Sequence, residues 1–228
     1  MKRSAAAAAP LTAPQQSSAV VRLTVLALLS AIGYVSMLFI KIPVVGFLSY
    51  EPKDIFLTLA GFLYGPLAAL ACCIVTGLLE LFVSSTGLIG MIMNIIASAA
   101  FACTASVIYK KRRDIYGVAL GLVCSVAVMT VCMLLWNYLI LPLYMGISRA
   151  EIVPLLTTMF LPFNLLKAGI NAAITMLLYR TFLRVLKLCG FPVTDHSAEK
   201  KSSVVLIVAL SAVLLAVCVG VVIYLNRG

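Results

Sequence analysis

Three polar side chains stand at helical intervals inside an apolar stretch of the sequence. Asn164, Lys167 and Asn171 lie within the run Leu161–Asn171, so a helix would present all three on one face. A lysine inside a bilayer costs at least about 2.5–3.5 kcal/mol, and it therefore needs a polar cavity, a charged partner or a ligand. Asn171 lies one turn deeper than Lys167, and we expect it to make an interhelical hydrogen bond.

The composition of the chain indicates an integral membrane protein. Of its 228 residues, 64% are hydrophobic and 11% are charged, whereas soluble domains have about 45–50% apolar and about 25% charged residues. The apolar runs are much longer than the roughly 10-residue strands of a membrane barrel, so we predict an all-α bundle. In such a protein the net charge of +10 reflects cytoplasmic anchoring and gives no reason to expect a nucleic-acid partner.

The chain is predicted to consist of a six-helix body and one additional helix. We expect a disordered cytoplasmic tail over 1–18, a six-helix membrane domain over 19–190, a polar linker over 191–203 and an additional transmembrane helix over 204–225. Gly65-Pro66 should separate a short helix, about 54–64, from the next one, because this pair favours a turn. The short helix has fewer than the roughly 20 residues of a full span, so protein must flank it.

A loop of unusual composition follows the first predicted span. The segment Lys41–Asp54 mixes apolar side chains with prolines and charges. Because a plain solvent loop would be more polar, we predict that this segment folds back over the bundle as a lid.

Basic residues predict that the N-terminus is cytoplasmic. The predicted inner ends hold most of the 17 Lys and Arg residues: Lys2, Arg3, Arg22, residues 110–113, Arg180, Arg184, Lys187, Lys200 and Lys201. The predicted outer ends hold Lys41, Lys53, Arg149 and Arg227. Cytoplasmic loops carry the excess of positive charge in membrane proteins, which fixes this orientation.

With this orientation, one set of polar and aromatic residues shares the outer leaflet beneath the lid: Glu80, Asn94, Trp136, Asn137, Asn164 and Lys167. Deeper positions of the same helices are apolar, so the pattern predicts a cup open to the outside and no lined pore. Amides supply donors and acceptors, Lys167 supplies a donor, and aromatic rings supply flat faces. This combination suits a planar, heteroaromatic small molecule that forms hydrogen bonds.

Simpler roles for these residues remain open. Glu80 and Lys167 could form a structural ion pair, Asn94 could merely form a hydrogen bond to a neighbouring helix, and Trp136 could belong to an interfacial aromatic belt. On the first helix, Ala27 and Ala31 are small residues one turn apart, which would let another helix approach closely.

Enzymatic and metal chemistry have little support in the sequence. The seven cysteines form no CxxC pair, and the single histidine, His196, lies in the polar linker. A nucleophile with a base, or paired intramembrane carboxylates, is missing from the predicted spans. A stand-alone ion-coupled carrier is the alternative, although no inverted repeat is visible and Glu80 is the only acidic residue within a predicted span.

Four segments resemble the riboflavin-specific substrate-binding components (S components) of energy-coupling-factor (ECF) transporters. They are the lid Lys41–Asp54, the turn Gly61–Pro66, the aromatic segment Trp136–Gly146 and the polar run Leu161–Asn171. The resemblance covers about 18–190, the whole predicted six-helix body. An S component for a different vitamin is a second alternative.

The resemblance implies an outward-facing vitamin pocket gated by the first extracellular loop. It implies that Asn137, Asn164 and Lys167 hold the polar edge of the isoalloxazine ring of riboflavin, with Glu80 near the ribityl hydroxyls. Residues of the loop would pack on the ligand: Phe47, Leu48 and Tyr50.

The same resemblance implies partners. S components have no ATPase of their own and work with a transmembrane coupling subunit and two ATP-binding-cassette ATPases in the bacterial cell membrane. Ala27 and Ala31 would form the docking face, and riboflavin would be cargo and not a cofactor. Transport would proceed by toppling of the S component, which suits a cup without a through-path. The additional helix over 204–225 departs from the family pattern.

Overall fold

The computed structural model describes residues 19–45, 48–83, 87–188 and, nearer the C-terminus, 208–209, 211–213, 215–217, 219–220 and 223. The predicted tail 1–18, Phe47 and the predicted linker 191–203 lie outside the described residues. The helices are α1 (Ala19–Phe39), α2 (Lys53–Tyr64), α3 (Pro66–Glu80), α4 (Gly87–Lys111), α5 (Ile115–Met145), α6 (Arg149–Leu155) and α7 (Leu161–Leu188). The strands are β1 (Ile42–Val45) and β2 (Leu48–Tyr50), and a π-helical turn (Leu156–Phe160) joins α6 to α7.

Four helical segments of the described chain are long and apolar enough to cross a membrane: Ala19–Phe39, Gly87–Lys111, Ile115–Leu143 and Arg149–Leu188. Helix α3 is apolar but shorter. The prediction of a helical membrane protein is therefore confirmed, whereas the six-plus-one count of spans stays a prediction. The described residues between 208 and 223 are helical, and Ser211 among them is buried.

The boundary between α2 and α3 lies where the sequence predicts it. Gly65 has φ 91° and ψ 175°, a conformation that residues with a Cβ rarely adopt. Pro66 is the first residue of α3, a position where its missing N–H costs no helical hydrogen bond. The glycine ends one helix and the proline begins the next.

Helix α2 begins inside the protein and not in a loop. It has 12 residues, about 18 Å at 1.5 Å per residue, so it cannot cross a hydrocarbon core of about 30 Å. Its first turn is surrounded by other helices, and Lys53 and Asp54 are 2% and 0% exposed. Assigning Lys53 to the loop was therefore wrong, whereas its assignment to the outer side stays a prediction.

The largest apolar core lies between α2, α4, α5 and α7. Phe101, Met129, Ala172 and Tyr179 are buried there. Gly61 allows close packing of α2 on α4, because a Cβ at this position would overlap the Ser106 hydroxyl. Helix α1 packs on α2 and α3 around a second apolar cluster. The opposite faces of the spans carry exposed apolar side chains, as lipid contact requires.

The lid segment forms an antiparallel hairpin of β1 and β2, which the sequence did not predict. Ile42 pairs with Tyr50 and Pro43 with Ser49. Alternation along β2 directs Leu48 and Tyr50 inward, where they are 6% and 8% exposed, while Ser49 between them is half-buried. The hairpin therefore covers one end of the bundle, called the hairpin end below. At the opposite end, called the basic end, α1, α3 and α5 begin and α2, α4 and α7 end.

Candidate ligand site at the hairpin end

Glu80 lies at the centre of a buried polar contact among three helices. Its Oε2 atom accepts a hydrogen bond from Lys53 Nζ of α2, and its Oε1 atom accepts one from Asn94 Nδ2 of α4. Glu80 and Lys53 are 5% and 2% exposed. A buried carboxylate needs such charged and hydrogen-bonding partners to offset its lost hydration. The alternative of an ion pair between Glu80 and Lys167 is therefore not formed, because Lys53 is the cation that Glu80 contacts.

Asp54 is the second buried carboxylate, and its hydrogen-bond partners are neutral side chains. Its Oδ1 atom accepts from Ser98 Oγ at 2.5 Å, and its Oδ2 atom accepts from Asn171 Nδ2 at 3.1 Å. The Asn171 oxygen in turn accepts from the Tyr50 hydroxyl at 2.9 Å. The expectation that Asn171 makes an interhelical bond is confirmed, since this bond joins α7 to α2.

Tyr50 ties the hairpin to this arrangement. Burial, and to a smaller extent the negative charge of Asp54, raises the pKa of Tyr50 to about 12. The hydroxyl therefore stays protonated and donates at physiological pH. We call the set formed by Tyr50, Lys53, Asp54, Glu80, Asn94, Ser98 and Asn171 the satisfied network.

Glu51 links the hairpin to the same charges. Its carboxylate lies 3.7 Å from Lys53 Nζ and 3.9 Å from Lys41 Nζ. Lys41 has an exposed side chain, whereas Lys53 is buried. Lys53 is therefore the buried cation that forms ion pairs with both Glu51 and Glu80.

A second set of polar residues, Asn137, Asn164 and Lys167, is much less satisfied; we call it the open group. All three are buried, at 4%, 4% and 6% exposed. Each asparagine donates to the carbonyl four residues earlier on its own helix, at 2.7 Å to Met133 and 2.8 Å to Phe160. No described residue donates to their side-chain oxygens or pairs with the Lys167 ammonium. These groups are free to bind a ligand.

The backbone before Asn164 is irregular. The N–H of Leu161 bonds the carbonyl of Leu156, five residues back, which is the π-helical pattern. Pro162 follows and cannot donate a backbone hydrogen bond. Single π-helical turns occur frequently at functional sites because they reorient side chains. Here the turn sets the direction from which Asn164 and Lys167 project.

Packing relates the open group to the hairpin. Helix α5, which carries Asn137, packs against α7. Trp136 packs, partly buried, against the main core that includes Ala168 of α7. At the hairpin end, Leu48 of β2 lies in one cluster with Leu141 of α5 and Phe163 of α7. The hairpin therefore closes over the α5–α7 interface that bears the open group.

Three residues of this region escaped the sequence-based prediction of the site: Lys53, Asp54 and Ser98. A signal was present, because a helix too short to cross the bilayer must start within protein, and any charge in its first turn is then buried. Ser98 carries no comparable signal. On α1, Ala27 and Ala31 are exposed, as a docking face would require, but their role stays a prediction.

Comparisons with known proteins agree on one family. The family of ECF transporter substrate-specific components matches residues 21–179. The chain is 33% identical to the riboflavin transporter RibU of Staphylococcus aureus (strain TCH60), over 73% of this chain and 92% of that protein. It is 30% identical to the riboflavin transporter FmnP of Bacillus subtilis (strain 168), over 69% of this chain and 90% of that one.

A solved structure has the same fold. It is described as the S component of a bacterial ECF transporter, and it matches with a TM-score of 0.62 and 32% identity over 73% of this chain and 97% of that one. The matched range, 21–179, leaves the C-terminal segment outside. Because these matches cover most of the helical body, we conclude that this chain belongs to the family of substrate-specific components of ECF transporters.

Proposed function

We propose that this chain captures riboflavin from outside the cell in a pocket beneath the hairpin. Two relatives, at 33% and 30% identity, are riboflavin transporters. The observation that carries the proposal is the open group, in which a buried lysine and two buried asparagines keep hydrogen-bonding capacity that no described residue uses. Burying a lysine without a partner is costly, so a ligand that accepts its hydrogen bonds supplies the compensation.

The chemistry of riboflavin fits this group. The pyrimidine side of its isoalloxazine ring presents two carbonyl oxygens and one N–H, which complement an ammonium donor and amide groups. In this arrangement Lys167, Asn164 and Asn137 hold the polar edge of the ring. Trp136, Leu48 and Tyr50 supply apolar faces for the ring system. The same role is assigned to Phe47, which lies outside the described residues.

The ribityl chain of the ligand is assigned to the neighbourhood of the satisfied network. Its hydroxyls both donate and accept hydrogen bonds, so they suit a region where Glu80 and Asn94 lie together. Because Lys53 and Asn94 already bond both oxygens of Glu80, a hydroxyl would use the remaining lone pairs of that carboxylate.

Delivery into the cell is assigned to partner subunits, as in the family. We infer that a transmembrane coupling subunit and two ATP-binding-cassette ATPases act with this chain, which is not itself an enzyme. The exposed small residues Ala27 and Ala31 on α1 provide the docking face for the coupling subunit. In this arrangement the chain lies in the bacterial cell membrane with its N-terminus on the cytoplasmic side.

A titration tests the proposed ligand. Purified protein, freed of bound flavin and shown to be folded, is titrated with riboflavin, FMN and the unrelated vitamin thiamine while flavin fluorescence or heat is followed. Saturable quenching by riboflavin, and no binding of thiamine, is expected. Absence of riboflavin binding to folded protein would overturn the proposal. ATP-independent uptake by the reconstituted chain alone, driven by an ion gradient, would instead identify a self-sufficient carrier.

A further inference from the structure

A cavity lies at the basic end, at the opposite end of the bundle from the hairpin. Its volume is about 390 Å³, within the range of about 300–1,000 Å³ typical of ligand pockets. Its walls come from the first turn of α1, the junction of α2 and α3 around Gly65, and the last turns of α4. The riboflavin proposal assigns no role to this cavity.

Three cations line the cavity: Arg22, Lys110 and Arg113. Among the described residues that line it, none is acidic. The carboxylate closest in sequence, Asp114, is engaged elsewhere, because it caps α5 through the Gly117 N–H at 2.7 Å and pairs with Arg112 at 3.0 Å. The cavity therefore has an uncompensated positive charge.

Aromatic and apolar residues complete the walls. The Arg22 guanidinium lies 5.4 Å from the centre of the Tyr64 ring, which holds this cation in place. Phe62 and Tyr109 are buried behind it, with ring centres 4.7 Å apart. At the edge, Leu67 is 78% exposed, as expected for a side chain facing lipid tails. The site combines fixed cations with an apolar margin.

We propose that this cavity binds a phosphate group, most directly the headgroup phosphate of an anionic phospholipid. Guanidinium groups match phosphate oxygens in a bidentate geometry, and the lysine adds a point charge. Basic pockets between transmembrane helices bind acidic headgroups by the same chemistry. The exposed apolar margin favours a lipid, whose tails it would contact, over a free phosphate.

Two triple variants test the site. The site variant is Arg22→Gln/Lys110→Gln/Arg113→Gln, and the matched control is Lys111→Gln/Arg184→Gln/Lys187→Gln, which removes the same charge from exposed residues at the same end that do not line the cavity. Delipidated full-length protein is titrated with phosphatidylglycerol, with diacylglycerol lacking the phosphate, and with inorganic phosphate, and bound adducts are counted by native mass spectrometry.

One phosphatidylglycerol should bind tightly to the unmodified protein. At about fivefold per basic residue, the site variant should lose affinity on the order of a hundredfold, and the control less than about twofold. Displacement of the lipid by millimolar inorganic phosphate would identify a free phosphate as the ligand, and persistence of the lipid would identify the headgroup. Equal losses in both variants, or equally tight binding of diacylglycerol, would overturn the proposal.

Two single variants provide a test that does not depend on correct folding of the triple variant. Lys110→Gln and Lys111→Gln change adjacent exposed residues, of which only Lys110 lines the cavity. A loss of about fivefold for Lys110→Gln, with less than twofold for Lys111→Gln, supports the site. Equal effects of the two substitutions would contradict it.

Discussion

Two groups of buried polar residues at the hairpin end differ in how far the protein satisfies them. In the satisfied network, Glu80 is bonded by Lys53 and Asn94, and Asp54 by Ser98 and Asn171. In the open group, Lys167 has no partner among the described residues, and each asparagine uses its amide only on its own helix. Except for Asn94, which is partly buried, the members of both groups are buried.

The difference shows a structural role for the satisfied network and motivates the binding role that we propose for the open group. Buried charges that are paired hold α2, α3 and α4 in one arrangement, because removing either partner leaves the other charge buried and uncompensated. Buried polar groups that are unpaired weaken the empty protein, and they are retained where a ligand will use them. Burial alone would not have distinguished the two groups.

The largest effect should come from breaking the satisfied network at its shared cation. Lys53→Met leaves Glu80 buried without its cation and removes the ion pair to Glu51, which should destabilise the fold by about 3–5 kcal/mol. Unfolding of the ligand-free protein in detergent measures this loss. The matched control is Lys41→Met, whose side chain is exposed and whose contact with Glu51 is 3.9 Å, so its cost should be at most about 1 kcal/mol. A similar loss of stability in Lys53→Met and Lys41→Met would show that Lys53 is no more important to the fold than an exposed lysine.

Substitutions in the open group should reduce riboflavin affinity and should not reduce the stability of the ligand-free protein. Lys167→Met and Asn164→Ala should weaken riboflavin binding by about 1–3 kcal/mol each, since ligand groups lose a buried partner. Lys167→Met should leave the stability of the ligand-free protein unchanged or higher, because the unpaired cation is gone. Calorimetric titration and ligand-free unfolding give the two quantities.

Lys187→Met serves as the control for the open group, as this lysine is exposed in the last turn of α7. It should alter neither affinity nor stability measurably. Unchanged riboflavin affinity in both Lys167→Met and Asn164→Ala would move the binding site away from the open group.

A smaller effect is expected at the hairpin. Tyr50→Phe removes the hydroxyl that donates to Asn171 and should cost about 0.5–1.5 kcal/mol of stability. Tyr138→Phe is the control, because this tyrosine contacts Arg149 through its ring and keeps that contact. Hydrogen exchange of residues 42–50 should increase in the first variant only. Equal exchange in both variants would show that the hydrogen bond from Tyr50 to Asn171 does not hold the hairpin on the bundle.

The same hydroxyl predicts a pH dependence. The pKa of Tyr50 is raised to about 12 by burial, against about 10 in the unfolded chain. The stabilisation is therefore complete below about pH 10 and is lost as the pH rises toward 12. Alkaline unfolding of the native protein should be steeper in this window than that of Tyr50→Phe.

The smallest effect on binding should come from α1, which contributes to neither group. Ala27→Trp and Ala31→Trp enlarge exposed side chains, so riboflavin affinity of the isolated chain should not change. Riboflavin uptake by cells that contain the coupling subunit and ATPases should fall, because close helix approach requires small residues. Unchanged uptake in both variants would place the docking face elsewhere.

The long helices and the boundary between α2 and α3 could be predicted from the sequence. Apolar runs defined the long spans, and Gly65-Pro66 placed the boundary between α2 and α3. The hairpin was missed as a pair of strands, because the two strands have only seven residues between them, too few to show a clear alternation of apolar and polar residues. Lys53 was misplaced because a charge near an apolar run is usually a loop residue.

The pairing of charges required the tertiary structure. Glu80 lies on α3, which packs against α1, α2 and α4, whereas Lys167 lies on α7, which packs against α5 and α2. The sequence placed both at a similar depth, and on that ground an ion pair between them was plausible. Helix adjacency decided that Lys53 pairs with Glu80 and that Lys167 has no partner among the described residues.

The sequence alone determined the membrane class, the long spans and the level at which polar residues gather. It could do so because the cost of placing a residue in hydrocarbon is a property of that residue and its close neighbours along the chain. Only the tertiary structure decided which buried groups satisfy one another and which remain open. That outcome depends on which helices are neighbours and on how each is rotated about its axis, and both are set by packing between residues distant in sequence.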